Sequence, residues 1–565
     1  MKVLFLSFTM LLSTTAMMAD NRPLAEMQAI AASKLNVLAA ERGQRNAPVH
    51  AVDIRCVADE ETYAVFSGGS TTGFVIVAKS TLADPLIGYS VESFDTDHLP
   101  ANMQWYLNEV SRSLLAIEAG EAQLPLRAAS YTPVKNFITT KWGQDYPYNH
   151  LTPNNYPSGC VATALAQCLN YRKYPSSAEF DAKYSITIND KTEWKNAHVS
   201  STYTWPYKNK YLATYTDNID ELLRDCGYAV YMDYSAQGSG STISYAGVAL
   251  TQIFGYPEEC VKYYDKEYFP NNKEEWKQII YDELSTHSPV LYGANSADYG
   301  GHAFLFSGID ADGLVYVNWG WDGNSNGFYN VDLLCVGSYL FTLGHCMVTG
   351  IRTTPLETDH VQPRIWGNTG KPYTYRWGKE RDDDGKRHVT LYIDLPGGFC
   401  NFCPSTFQGV FGIFAQDLTD GSTWVIAGDL QDPETLLPGY GYFAEEGEDF
   451  YFYYFVDGTN GLKEGHTYRL SFGTKDDREG TWHSIICDGG ELGYDITYTG
   501  DPATCTVSSE PTSVPVLTGI KYIYNSTNNN LQFQSGMWYD LQGRTLSKQP
   551  QNGIFIYNGK KILLP

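Results

Sequence analysis

The sequence predicts an α+β protein of several domains, helical early and strand-rich toward the C-terminus. Three observations carry this. At 565 residues the chain has room for about three or four domains of roughly 150 residues each. Apolar residues recur at helical spacing over 24–41 and 99–121, the second with Met103, Leu107, Val110, Leu114 and Ile117 on one face. After residue 353, short runs such as HVTLYIDL, GVFGIFA, YFYYFVDG and YRLSFG alternate with Asp/Gly turns, which is the pattern of a β-sandwich. Composition agrees, since 43 tyrosines, 51 glycines and 12 tryptophans suit strands and tight turns. Hydrophobic residues at 43% with charged residues at only 18% exclude intrinsic disorder. A net charge of -24 excludes nucleic acid or an anionic membrane as the main partner.

Taken in order, residues 1–19 read as a signal peptide. Lys2 supplies the positive start, Val3 to Leu12 the apolar stretch, and Ala16 and Ala19 the small residues near a cut. No later run reaches the 18 or so apolar residues of a membrane span, so the mature protein is expected to be exported, secreted or held at the cell surface. Residues 20–127 hold the two helices and strands such as YAVFSGG and GFVIVAKS, and end in EAQLPLRAAS, an aperiodic stretch read as an exposed linker. Residues 128–352 are rich in aromatics, Gly and Asn, with helices first and strands later. The strand-rich 353–509 segment follows, and the linker SSEPTSVPV leads into a small β-rich tail, 510–565. The eleven cysteines are too few for a disulfide scaffold, and their odd number leaves one thiol unpaired. Cys400-Asn-Phe-Cys403 has no second pair at zinc spacing, so packing or a local disulfide is expected ahead of a metal. No cofactor is expected.

The strongest chemical signal is Ser158-Gly159-Cys160 followed by the small-residue helix VATALAQCLNYR. It sets the Cys160 thiol at a helix N-terminus, where unpaired N–H groups favour an anion and can bring a thiol down to roughly 3.5–7.5. The alternative is a packing cysteine, as assumed for Cys168. A base is found in Gly300-Gly301-His302-Ala303-Phe304, where a Gly-rich turn enters an apolar strand. His302 lies 142 residues after Cys160, inside the roughly 130–150 of papain-like enzymes. His150 and His345 read as ordinary surface or core histidines. The strand LVYVNW ends at Asn318-Trp319. There an amide oxygen could orient the imidazole and an indole could shield the bond from water; a plain strand end with core tryptophans is the alternative. Lys141-Trp142-Gly143-Gln144 precedes Cys160 by sixteen residues, and the Gln144 amide beside the Cys160 N–H would make an oxyanion hole.

The ordered set KWGQDYPYN, SGCVATALAQCLNYRKYP, VYMDYSAQGSGS, GGHAF and VNWGWDG resembles the streptopain family of papain-like cysteine peptidases over about residues 131–350. The resemblance implies a papain-like catalytic domain with Cys160 as nucleophile, His302 as general base and acid, and Gln144 as oxyanion donor. It implies Asn318 with Trp319 as orienter and shield, and Ser239 and Gly301 as contacts to substrate backbone. GYSVESFDTDHLPANMQWYLNEVSRSL is similar to the pro-regions of such zymogens, so 20–127 would be an intramolecular inhibitor. The tail looks like a sorting domain of the type IX secretion route, a match that a plain β-domain rivals. Its partner would be a secretion machinery.

The expected function is therefore a secreted endopeptidase acting on proteins and peptides. The alternatives are an amidase or transglutaminase-type acyl transferase built on the same residues, or a protein binding host proteins or haem carriers with the catalytic fold secondary. Gly323-Asn-Ser-Asn-Gly327 matches a serine-hydrolase elbow, but FYNV follows as a strand where the elbow needs a helix, so a hairpin tip is expected.

Overall fold

The computed structural model describes residues 21–41, 50, 53–68, 73–122, 131–207, 218–266, 273–296, 300–334, 343–361, 363–367, 371–381, 384–428, 434–443, 449–456, 462–478, 482–487 and 490–513, with short strands between 521 and 564. The signal-peptide reading (1–19) and most of the linker EAQLPLRAAS lie outside the described residues. In chain order the elements are α1 (Leu24–Glu41), β1 (Arg55–Asp59), β2 (Tyr63–Ser67), β3 (Phe74–Ala78), β4 (Leu86–Ser90) and α2 (Ala101–Glu118). Then come α3 (Cys160–Arg172), β5 (Ser177–Ile188), β6 (Lys191–Thr202), α4 (Ile219–Ala229), β7 (Asp233–Tyr234) and α5 (Ile243–Gln252). The series continues with β8 (Lys262–Asp265), α6 (Lys273–Ser285), β9 (Val290–Ser296), β10 (Gly300–Ile309), β11 (Val315–Asn318), β12 (Gly327–Tyr329) and β13 (Leu343–Thr349). Among the described residues no helix is long and apolar enough to cross a membrane.

The chain forms two compact units. The first gathers the described residues of 21–133 with 309–317 and 324–334. Strands β1 to β4 form an antiparallel meander, and β4 continues onto β12 through Ser90↔Gly327, Tyr89↔Phe328 and Gly88↔Tyr329. Met27, Ala31, Leu35 and Leu38 on α1 bury against Phe66, Val75 and Val77, and the predicted stripe on α2 is buried throughout. Asp310 accepts from Lys34 Nζ at 3.1 Å and from the Tyr89 hydroxyl at 2.7 Å. Two stretches expected to belong to a 128–352 peptidase region thus fold with the N-terminal segment. The cause is backbone pairing: β12 supplies the ladder that the β4 edge lacks.

The second unit gathers 134–308, 318–323 and 343–565. Helices α3, α4 and α5 bury Leu165, Leu169, Leu222, Cys226, Ala246 and Leu250 against Leu291 on β9, Leu305 on β10 and Val348 on β13. Strand β9 pairs with β10 on one side and β13 on the other, and β13 pairs with β8. The long antiparallel hairpin β5–β6 was not anticipated between helices. Its period-two alternation is diluted by exposed polar residues, and its turn rests on Asn189 and Asp190 at φ 50° and 61°, a conformation these residues tolerate.

The strand-rich segment after 353 falls in the same unit and keeps a hydrophobic core of its own. Its two sheets, one built on Phe407–Asp417, His466–Asp476 and Gly490–Tyr498 and the other on Thr374–Arg381, Arg387–Pro396 and Asp449–Val456, share one core that includes Tyr375, Leu391, Ile413 and Leu470. Trp366 and Ile486 join the helical core instead. Thr251 donates to the Pro404 carbonyl at 2.7 Å, and Thr406 donates its hydroxyl to Glu258 at 2.6 Å. Cys400 and Cys403 are buried and form no disulfide with each other, so they pack rather than bridge. No cluster among the described residues could hold a metal ion. The tail contributes strands Trp538–Tyr539, Thr545–Leu546, Gly553–Tyr557 and Lys560–Leu564, antiparallel to one another. Between β11 and β12, residues 323–327 connect two antiparallel strands, so the elbow-like pattern is a hairpin link, as expected.

Candidate active site

Cys160 is the first residue of α3, and Gly159 before it has φ 87° with no side-chain cap. A Cβ on Gly159 would lie 2.6 Å from Met232 Cε and 3.1 Å from the Ser239 carbonyl oxygen. Glycine is therefore required on conformational and steric grounds together. Thr163 closes the first turn by returning its N–H and hydroxyl to the Gly159 carbonyl, both at 3.0 Å. The Cys160 sulfur is half-buried, and the nearby backbone N–H groups of Cys160, Val161 and Ala303 favour its charged form. Two of these belong to the helix start and the third to β10. Burial nonetheless outweighs them and raises the thiol above the ordinary cysteine value. This corrects the expectation of a thiol lowered by the helix terminus: three N–H groups do not replace the water that the charged form loses. Cys168, fully enclosed on the same helix, is raised further.

His302 precedes Ala303 on β10 and stands opposite Ala294 of β9, where it is half exposed. The Ala303 N–H thus brings the residue after His302 near the Cys160 sulfur. Gly301 is exposed and stands opposite Asn295. Phe304, on the same face of the strand as His302, meets the fully buried Trp319 ring at a centroid distance of 5.0 Å. His345 is buried on β13 against the Tyr292 hydroxyl at 2.8 Å, and His150 pairs with Asp220 at 3.1 Å. Neither hydrogen bond involves Cys160.

Asn318 is 1% exposed. Its side-chain NH2 donates to the Thr140 carbonyl at 2.8 Å and to Gln167 Oε1 at 3.0 Å, and its Oδ1 accepts from the Gly320 N–H at 3.1 Å. The direct bond to the imidazole expected from sequence is not among these. Two buried acceptors and a turn N–H take the amide first, so Asn318 fixes the Trp319–Gly320 turn. Thr140 adds a further bond to Gln167 Oε1 at 2.7 Å. Sequence reading missed Thr140 and Gln167. The signal was present in Gln167, a polar residue seven positions, or two helical turns, after Cys160.

Gln144 is 8% exposed, and its carbonyl accepts from the Ser158 N–H at 2.9 Å, two residues before Cys160. Ser239 reaches the same place from the other side, since its carbonyl abuts Gly159 and its hydroxyl is buried without a hydrogen-bond partner. Cys160, His302, Gln144, Asn318, Trp319, Ser239 and Gly301 all belong to the second compact unit.

The description Peptidase C10 family matches residues 142–329. Thiol protease/hemagglutinin PrtT of Porphyromonas gingivalis is 29% identical over 313 residues, covering 50% of this chain and 35% of that protein. Streptopain of Streptococcus pyogenes is 32% identical over 301 residues, covering 47% of this chain and 73% of streptopain. Among solved structures, a fragment of Prevotella intermedia prointerpain A is 30% identical, covering 54% of this chain and 99% of the fragment at a TM-score of 0.46. The chain thus spans about a third of the first relative and nearly three quarters of the second. With the motifs around Cys160, His302 and Asn318 inside the matched stretch, this chain belongs to the Peptidase C10 family, a family of cysteine proteases.

Proposed function

We propose that this chain is an exported cysteine endopeptidase made as a zymogen. The observation that carries the reading is Cys160 at the start of α3, directly after a glycine whose φ of 87° and close packing admit no side chain. Because burial holds the thiol protonated, its proton must pass to His302 as the sulfur attacks a peptide carbonyl. The tetrahedral oxyanion forms beside the Cys160 N–H and the Gln144 amide, a donor pair worth roughly 3–4 kcal/mol per member. His302 then protonates the leaving amine, and water hydrolyses the thioester. Asn318 and Trp319 hold the turn beside Phe304 and so fix the base indirectly. Ser239 and Gly301 border the substrate. Residues 20–127 act as an inhibitory segment removed by a cut between about 120 and 131, and the C-terminal tail serves export.

The test is mass-spectrometric mapping of the residue modified by a peptidyl epoxide, run beside casein digestion. Labelling of Cys160, with loss of both labelling and digestion in Cys160→Ala, is expected. Labelling at Cys168 or any other thiol, or casein cleavage by Cys160→Ala, would refute the assignment. The Cys160→Ala precursor should stay full length when pure and be cut within 120–131 by active enzyme. An uncut precursor with full activity would refute the zymogen reading.

A further inference from the structure

The stretch from Met232 to the start of α5 presses on the residue that precedes the nucleophile. Met232 and the Ser239 carbonyl are the atoms that leave no room for a side chain at Gly159. That stretch has little structure of its own. Strand β7 is two residues long. The loop after it is closed by the Asp233 N–H donating to the Gly240 carbonyl at 2.9 Å and the Gly240 N–H to the Asp233 carbonyl at 3.0 Å, with a small turn in which the Ser235 hydroxyl donates to the Gly238 carbonyl at 3.0 Å and a bond from the Ser241 hydroxyl to the Val230 carbonyl.

What anchors it is the Asp233 carboxylate. Oδ1 accepts from the Ser185 hydroxyl at 2.6 Å, and Thr187 Oγ1 donates across both carboxylate oxygens at 3.0 Å. Thr187 Oγ1 also meets Thr192 Oγ1 at 2.7 Å across the hairpin, so both strands of β5–β6 share the anchor. The backbone repeats the tie: β5 pairs with β7 at Ser185↔Asp233 and Ile186↔Tyr234, and the Ser185 N–H donates to the Met232 carbonyl at 3.0 Å. Ser185 is 1% exposed, so its bond to an ionised acceptor is shielded from water and strengthened. Neither Ser185 nor Thr187 lies beside Gly159 in the described contacts. Their reach to the site runs through Asp233.

We propose that Asp233 is a positioning residue that clamps the 235–241 wall, and with it Ser239, to the β5–β6 hairpin and so sets how tightly an extended substrate is held beside Cys160. This rests on Cys160 being the nucleophile. Because the clamp acts on the wall and not on the sulfur, its loss moves substrate binding and leaves the thiol as it was.

The experiment compares Asp233→Ala, Asp233→Asn and the Ser185→Ala/Thr187→Ala double variant with the wild-type enzyme. It follows cleavage of a fluorogenic peptide and, separately, alkylation of Cys160 by iodoacetamide. Asp233→Ala should raise KM roughly tenfold or more, as a displacement near 1 Å at a site can cost about 10²-fold in all, with kcat and the alkylation rate within about twofold. The hydroxyl double variant should reproduce the KM rise, and Asp233→Asn, which keeps one acceptor oxygen, should fall between. Unchanged KM in both Asp233→Ala and the double variant would overturn the proposal, as would a fall in kcat alone. Should Asp233→Ala fail to fold, the double variant decides by the same readout. A wild-type enzyme whose Cys160 resists the peptidyl epoxide would refute the nucleophile assignment itself, an outcome distinct from a KM that fails to move.

Discussion

Gly159→Ala tests the packing around Cys160 most directly. The residue sits at φ 87°, and holding a non-glycine residue in such a region costs about 1–3 kcal/mol. The new methyl group would meet Met232 Cε at 2.6 Å, Met232 Sδ at 2.7 Å and the Ser239 carbonyl at 3.1 Å. Met232 is fully buried, so the thioether can move aside only by disturbing its neighbours, and overpacking of this kind costs about 1–3 kcal/mol more. The sum, roughly 2–6 kcal/mol, is a large fraction of ordinary stability. The strain falls on the peptide that carries Cys160, so the sulfur should also leave the three nearby N–H groups, and kcat/KM should drop by about 10²-fold. Chemical denaturation and peptide hydrolysis measure the two effects. A double-mutant cycle with Met232→Ala separates them, since shortening Met232 relieves the clash but not the φ penalty, and a coupling near 1 kcal/mol or more is expected. A Gly159→Ala protein within about 0.5 kcal/mol of wild type in stability and twofold in kcat/KM would refute the reasoning; surface substitutions alone behave that way.

Three further outcomes follow from the same geometry. Gln144→Ala should lower kcat by roughly 10²–10³ with KM nearly constant, whereas a change confined to KM in steady-state kinetics would make Gln144 a ground-state contact. Asn318→Ala should strand the Thr140 carbonyl while Gln167 Oε1 keeps its bond from Thr140, at about 1–3 kcal/mol; Asn318→Asp should be harsher in thermal unfolding because a carboxylate would face two acceptors. In His302→Ala, alkylation of Cys160 should climb with pH through a midpoint above the ordinary thiol value of about 8.5, because burial favours the neutral thiol. A midpoint below that value, read from iodoacetamide rates against pH, would show that the helix terminus wins over burial.

Local sequence determined much of this protein. The stripe Met103, Leu107, Val110, Leu114 and Ile117 specified α2 and its buried face, because side chains three and four apart share a side of a helix. Turn residues followed by small residues put Cys160 at the start of α3, and two glycines before an apolar run put His302 on a strand. These are short-range facts, written within one or two turns of chain. What only the tertiary structure decided is long-range. Residues 309–317 and 324–334 fold with the N-terminal segment because β4 has an edge to fill, and no pattern within either stretch records that need. The thiol rises rather than falls because burial, set by the surrounding fold, outweighs the local N–H groups. Asn318 binds Thr140 and Gln167 because the fold brings a loop and a helix, 178 and 151 residues away in sequence, within reach of one amide. Such competition for hydrogen bonds depends on which groups meet, and the meeting is a property of the whole fold.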